Sequence, residues 1–401
     1  MLMRLIKTID DINVANRKVL VRSDLNVPMQ NGKISDTARI LRSIPTINAL
    51  ASKGARVIII SHLGRPGGKR TPELSLKPVA EALENIINRR VVFGKDCIGP
   101  DAQKAIDTAL TDEVVLLENL RFYNAEEDND ESFADQLAAL ADIYINDAFS
   151  CAHRAHASTE AISRRLPSAA GILMQAELDA LSSSLELPAH PLAAIVGGAK
   201  ISTKMAVLGY LVERVDQLII GGGMANTFLF AGGYDIGNSL CEVNMADQAC
   251  KILEKAISEK CEVVLPSDAI VANDFVKGAT TKHVSINAIP KTSMILDIGP
   301  ASIHNLKQRL AVCKTVVWNG PLGAFETEPF DLGTNEVAAE VALLTKAGKL
   351  LSVAGGGDTI SALKNARVID DFSYVSAAGG AFLEWLEGRT LPGVAALLQN
   401  Q

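Results

Sequence analysis

The sequence predicts an α/β protein of two lobes, each a three-layer α/β/α arrangement with a mainly parallel sheet, joined by a hinge helix. Three observations predict it. The 401 residues exceed what one ordinary core holds, so two domains are expected. Hydrophobic residues make up 48% but aromatics only 4%, so the cores must be Val, Ile, Leu and Ala, as in buried parallel strands covered by helices. Short β-rich runs alternate with longer helical patterns from end to end.

The runs fall in order at 18–22, 55–60, 91–93, 114–117 and 143–145. They continue at 192–196, 217–220, 262–265, 294–296, 315–318 and 350–353. Helical patterns lie between them, among them 76–88, 133–140, 203–212 and 336–346. A helix over 169–185, broken by Leu187-Pro188 and Pro191, marks the boundary. We therefore expect a first domain at 1–170, a hinge helix at 171–187, a second domain at 188–378 and a tail at 379–401. The tail carries a Gly379-Gly380 pair and a short helix, 381–386.

Composition excludes several classes. A formal net charge of -7 argues against nucleic acid as a partner. No apolar run approaches the roughly 20 residues that span a bilayer, so no membrane association is expected. The segment 1–10 carries Arg4 and Lys7 inside its only apolar stretch, unlike a signal peptide. The six cysteines form no C-x-x-C pair and read as reduced thiols of a cytoplasmic protein.

In parallel sheets ligands gather at the carboxyl ends of strands, and there the two halves differ. The first half ends its strands in Arg22-Ser23-Asp24-Leu25-Asn26, Ser61-His62-Leu63-Gly64-Arg65-Pro66, Glu118-Asn119-Leu120-Arg121 and Asn146-Asp147. Arg22, Arg39, His62, Arg65, Arg121 and Arg154 sit at or near strand ends or before helices. Guanidinium groups match carboxylate and phosphate with paired donors. One such arginine is ordinarily a surface residue, but several at strand ends suit a small polyanion. Asp24 and Asn26 can accept from its hydroxyls. His153 and His156 lie three apart with no third ligand nearby, which fits a ligand loop better than a metal site.

The second half ends its strands in glycine: Gly197-Gly198-Ala199-Lys200, Gly221-Gly222-Gly223, Asn319-Gly320-Pro321 and Gly355-Gly356-Gly357-Asp358-Thr359. Glycine lets backbone N–H groups approach phosphate, and a following helix start adds positive potential. Asp358 could cap its helix, yet a carboxylate beside phosphates is better used on Mg²⁺. Lys200 and Lys204 are expected on one helix face, four apart, with an anion between them. Glu326, in a polar loop, could accept from a ribose. Neither G-x-x-x-x-G-K-[ST] nor G-x-G-x-x-G occurs. A hinged binding protein would need the arginines but not the lysines and Asp358; a dehydrogenase would need the missing fingerprint.

These motifs, with Val27-Pro28, Phe122 and Trp318 around them, resemble the phosphoglycerate kinase family in its own order along nearly the whole chain. The resemblance implies two Rossmann-like α/β/α lobes and the reaction 1,3-bisphosphoglycerate + ADP ⇌ 3-phosphoglycerate + ATP with Mg²⁺. It implies a monomer whose tail packs back on the first lobe, and hinge closure before in-line transfer. It implies that Arg22, Asp24, Leu25, Asn26, Arg39, His62, Leu63, Gly64, Arg65, Arg121 and Arg154 form the triose-acid site. Gly198, Ala199, Lys200, Lys204, Gly222, Gly223, Asn319, Pro321, Glu326, Gly356, Gly357, Asp358 and Thr359 would hold the nucleotide, with Asp358 on the metal. Arg39, Lys200, Lys204, Gly379 and Gly380 would act at the transferring group. The chain departs from the family's Ser-Thr-Gly-Gly-Gly-Ala, having Ser376-Ala377-Ala378-Gly379-Gly380-Ala381, which leaves no threonine hydroxyl beside that group. Ser150-Cys151 stands where the family commonly has Gly-Thr.

Overall fold

A computed structural model describes residues 5–399; the ends of the predicted segments 1–10 and 379–401 lie outside the described residues. The chain divides into two compact units, Met1–Asp179 with Thr390–Gln401, and Ala180–Arg389. The residues 379–389 thus group with the second unit, and only the chain from Thr390 groups with the first.

The first unit is built on six parallel strands. Their spatial order is Val91–Phe93, Val114–Leu116, Arg56–Ile60, Lys18–Arg22, Ile143–Asn146, Ser168–Ala170. Successive strand residues supply opposite faces. Val19, Val21, Val57 and Ile59 join one core under the helix Ala38–Ser52. Leu20, Ile58, Ile60 and Val115 join another with Phe133 and Leu137 of the helix Glu131–Ala138. Being buried on both sides is why these strands read as unbroken apolar runs.

The second unit has its own six parallel strands, ordered Glu262–Val264, Gln217–Ile220, Leu192–Val196, Thr315–Asn319, Leu351–Gly355, Tyr374–Ser376. In both sheets the strands that follow the first one lie to one side of it, and the later strands lie to its other side. The reversal falls between Lys18–Arg22 and Ile143–Asn146 in the first unit, and between Leu192–Val196 and Thr315–Asn319 in the second. Loops leaving such neighbours diverge, which opens a crevice for ligands.

Three expectations need correction. The run at 294–296 is not in the parallel sheet: Met294–Ile298 pairs antiparallel with Asp268–Ala272, which pairs with Lys282–Ser285 in a separate sheet. The predicted helix over 169–185 is a strand, Ser168–Ala170, then a helix, Ile172–Leu181, closed by a π-helical turn, Ser182–Glu186. The helix starts late because its first N–H groups are capped from elsewhere: Thr46 Oγ1 accepts from Ile172, and Asp147 Oδ1 from Leu173 and Met174. Lys200 and Lys204 share no helix face, because that helix begins only at Met205. Ser202 is held by Glu242 through both its N–H and its hydroxyl, and Thr203 Oγ1 bonds back to Lys200 O, which favours a turn.

Candidate active site

In the first unit, Asp24 follows the strand Lys18–Arg22 and organises its surroundings. Its Oδ2 accepts from Arg39, in the first turn of the helix Ala38–Ser52, at 2.6 Å, and from Ser150 Oγ at 2.5 Å. Its Oδ1 accepts from Asn26 N at 3.1 Å. Asn26 Oδ1 in turn accepts from Gly64 N at 2.8 Å, and Gly64 O accepts from Arg121 at 2.9 Å. Gly64 has φ +63°, a left-handed conformation that glycine adopts without strain. Asp24, Asn26, Arg39, Gly64 and Arg121 are therefore one bonded network, assembled from loops after three strands and the first turn of the helix Ala38–Ser52.

Leu25 and Leu63 are buried, and each presents its backbone N–H to a neighbour, Ser61 Oγ and Asn119 Oδ1 respectively. Arg65 is exposed and Arg154 half-buried; among the described residues no side-chain hydrogen bond or ion pair ties either of them to the network. Arg22 differs from expectation. It is only 1% exposed, and its guanidinium donates to Ser158 Oγ, Ser23 O and His62 Nδ1. It lies beneath the network rather than on it.

Charges are tuned accordingly. Burial raises the Asp24 carboxyl, but Arg39, the Ser150 hydroxyl and the Asn26 N–H outweigh it and hold it below the ordinary carboxylate value. Burial, then Arg22, pushes His62 itself well below the ordinary imidazole value, so it is neutral at pH 7. Arg39 is thus the lasting cationic partner of Asp24. Asp24, His62 and Cys151 bring potential metal-ligand atoms within 4.8 Å of one another. Arg22 approaches both His62 (3.1 Å) and Cys151 (3.8 Å), and a fixed guanidinium there opposes a divalent cation.

In the second unit the strand-order reversal holds Lys204. Its Nζ donates to Gly197 O (2.6 Å), Asn319 O (3.0 Å) and Asn319 Oδ1 (2.7 Å), tying together the ends of the two diverging strands. Burial lowers Lys204 to about 8, with Asp358 opposing, so it remains mostly cationic at pH 7. Asn319 also donates from Nδ2 to Gly355 O at 2.7 Å. The glycines here are sterically required: a Cβ on Gly197 would lie 1.9 Å from Pro321 O.

Beside this point lies a cavity of about 330 Å³. Gly198, Ala199, Gly222, Gly223, Pro321, Glu326 and Asp358 line it, as predicted residues, together with apolar side chains the sequence reading missed: Leu229, Leu240, Phe275, Met294 and Leu296. Those carry no polar signature, and Met294 and Leu296 come from the antiparallel sheet that was misread. Asp358, in the first turn of the helix Gly357–Asn365, is exposed, and no hydrogen bond or ion pair holds its carboxylate among the described residues. Gly356, with φ +99°, precedes that helix. Thr359 is buried and its hydroxyl is committed to Gly320 N and Gly355 O, so it shapes the loop and can offer a ligand only its backbone. Lys200 is exposed. Gly379 and Gly380 open the helix Gly379–Leu386, at the strand end beside Gly355.

Comparison with known proteins identifies the family of the chain. Residues 9–389 match the sequence model of a family described as phosphoglycerate kinase. A protein of that name from Ruegeria sp. is 55% identical over 391 residues, covering 98% of this chain and 99% of its own length. One from Rhodospirillum centenum is 56% identical over 391 residues with the same coverage. The structure is similar to that of phosphoglycerate kinase from Coxiella burnetii, with a TM-score of 0.92, 43% identity and 98% and 99% of the two chains covered. It is also similar to the phosphoglycerate kinase structure from Pyrococcus horikoshii, with a TM-score of 0.81, 29% identity and the same coverage.

Proposed function

The chain belongs to the phosphoglycerate kinase family, and from that premise we propose how its own residues carry out the transfer. The reaction moves a phosphoryl group reversibly between 1,3-bisphosphoglycerate and ADP, giving 3-phosphoglycerate and ATP in glycolysis. Asp24, Asn26, Arg39, His62, Arg65, Arg121 and Arg154 hold the triose acid. The cavity beside Lys204 takes the nucleoside, with Glu326 near the ribose and Gly356–Gly357 and Asp358 at the phosphates.

Both nucleophiles, a carboxylate and a diphosphate oxygen, are already anionic at pH 7, so no general base is needed. Catalysis rests on positioning and charge neutralisation. Lys204 suits that task because its ammonium is held by oxygen dipoles and bonded to no carboxylate, leaving its charge for the transferring group. Arg39, Lys200 and the N–H groups at Gly379 and Gly380 assist. Asp358 fits a hard cation, since its carboxylate is unpartnered at the mouth of a phosphate-binding helix start. Bound there, Mg²⁺ would neutralise phosphate charge.

Reacting atoms must come within about 3–3.5 Å. The acid-binding and nucleotide-binding residues belong to different units, so we include substrate-driven closure about the segment 170–190. The working form is a cytoplasmic monomer.

The observation that carries this reading is the threefold tether of Lys204 at the strand-order reversal. In a coupled NADH assay with ATP and 3-phosphoglycerate, Lys204→Ala and Arg39→Ala should each lower kcat by about 10³-fold or more, with circular dichroism unchanged. Retention of kcat in either variant would count against its role.

A further inference from the structure

Arg22, beneath the acid site, connects a buried carboxylate to His62. Its Nε donates to Ser158 Oγ at 2.8 Å, one terminal nitrogen to Ser23 O at 2.6 Å, and the other to His62 Nδ1 at 3.1 Å with Cys151 Sγ at 3.8 Å. Behind it, Ser158 gives its hydroxyl proton to Glu126 Oε1 at 2.6 Å and its N–H to Glu126 Oε2 at 2.9 Å. Tyr144 fixes Ser158 from another side, donating to its carbonyl at 2.7 Å. Arg22 is 1% exposed and Glu126 is 0% exposed.

Donor counting sets every proton in this chain. A serine hydroxyl has one hydrogen; with it on the carboxylate, a lone pair faces the Arg22 Nε–H. Guanidinium has no lone pair, so the ring nitrogen it meets must be unprotonated. The only proton of a neutral His62 ring then sits on Nε2, which no hydrogen bond occupies among the described residues.

We propose that Glu126, Ser158 and Arg22 are positioning residues that hold His62 as the neutral Nε2–H tautomer, so that it meets the triose acid as a fixed donor. This rests on the reading that His62 contacts that acid. Its electrostatics agree. Burial works against the Arg22 charge, and the carboxylates of Glu126 and Asp24 oppose that effect. The remaining histidine near Glu126, His156 at 3.9 Å, is driven down to about 3 by burial and then Arg22, so it brings no competing cation. A buried guanidinium is costly without a counter-charge, and Glu126 lies on the side away from His62, its carboxyl raised by burial and held down by Arg22 and the two Ser158 donors.

The test uses the full chain labelled with nitrogen-15 histidine, with His62→Gln to assign the signal. At pH 7 His62 should show a protonated Nε2 and a bare Nδ1. Arg22→Met should mix the tautomers and return titration toward the ordinary imidazole value of about 6.5. Ser158→Ala keeps both buried charges but cuts the chain. It should raise KM for 3-phosphoglycerate about tenfold while KM for ATP stays within about twofold. Added to Arg22→Met, it should raise KM no further, because the two act through one path. An Nδ1-protonated or cationic His62 in the unaltered protein overturns the inference. So does a Ser158→Ala effect of undiminished size on top of Arg22→Met. If His62→Ala leaves KM for 3-phosphoglycerate unchanged, the ligand reading has failed instead, and the nuclear resonance arm still decides the tautomer.

Discussion

Asp147 illustrates how one buried carboxyl couples folding to pH. It ends the strand Ile143–Asn146 and is 1% exposed, and burial raises it to about 7 despite bonds from Thr46, Met174 and Leu173. Its ordinary value is 3.8, so between about pH 4 and 7 the unfolded chain has lost a proton that the native chain keeps. The native state binds more protons there, and stability falls as pH rises through that window. The slope amounts to as much as about 1.4 kcal/mol per pH unit. Asp147→Asn removes the titration while leaving one oxygen to cap the helix. Urea unfolding followed by far-ultraviolet circular dichroism should therefore show a shallower decline from pH 4.5 to 7 in the variant. An unchanged slope would mean that Asp147 is ionised in the native protein. Such a residue shows what a sequence hides. Asp147 reads as one more polar group after a strand, and only the packing of Thr46 and the helix Ile172–Leu181 around it gives it a role.

At the scale of elements, the second unit's strand-end loops, proposed to hold the nucleotide, depend on glycine for close approach. Gly197 follows the strand Leu192–Val196, and an added Cβ would sit 1.9 Å from Pro321 O and 2.7 Å from Pro321 C, both backbone atoms that cannot swing aside. Gly197→Ala must therefore separate Leu192–Val196 from the loop after Thr315–Asn319, loosening Gly197 O and Asn319 O around Lys204. It should weaken nucleotide binding about tenfold or more in titration calorimetry, and destabilise the protein by about 1–3 kcal/mol. Binding and stability equal to the parent would show that the loop yields freely. The parallel strands and these glycine loops were legible because double-sided burial writes unbroken apolar runs, and tight turns write Gly. The first-unit arginines were legible as a set, but not their roles: Arg22 and Arg121 are both buried, and only tertiary structure makes one a strut beneath the network and the other a member of it. The helix start near Lys204 was misread because Ser202 is held by Glu242, forty positions away in sequence. The antiparallel sheet was missed because Lys282–Ser285 is mostly polar and Asp268–Ala272 is a short run opened by Asp, so pairing rather than composition defines them.

At the scale of the whole molecule, the division into two units with separate cores has a consequence for how unfolding is observed. Both tryptophans, Trp318 and Trp385, belong to the second unit, where Trp318 is buried in the core against Phe372 and Trp385 sits in the helix Gly379–Leu386. Tryptophan fluorescence therefore reports the second unit alone, while far-ultraviolet circular dichroism reports both. A ligand that binds only the native state stabilises the part that binds it, by about 2.7 kcal/mol at a hundred times its Kd. With the proposed nucleotide site in the second unit, Mg-ATP alone should move the fluorescence midpoint upward in urea. 3-phosphoglycerate alone should move the circular dichroism transition more than the fluorescence one, because the residues proposed to hold it lie in the unit without tryptophan. The two probes then separate the ligands by location without any substitution. Should 3-phosphoglycerate shift fluorescence as strongly as Mg-ATP does, either the units unfold as one cooperative block or the acid binds in the second. Replacing Arg65, an exposed residue of the first unit, by Ala distinguishes these. Loss of the 3-phosphoglycerate shift in that variant places the acid in the first unit and makes the block cooperative, whereas an unaltered shift moves the acid elsewhere.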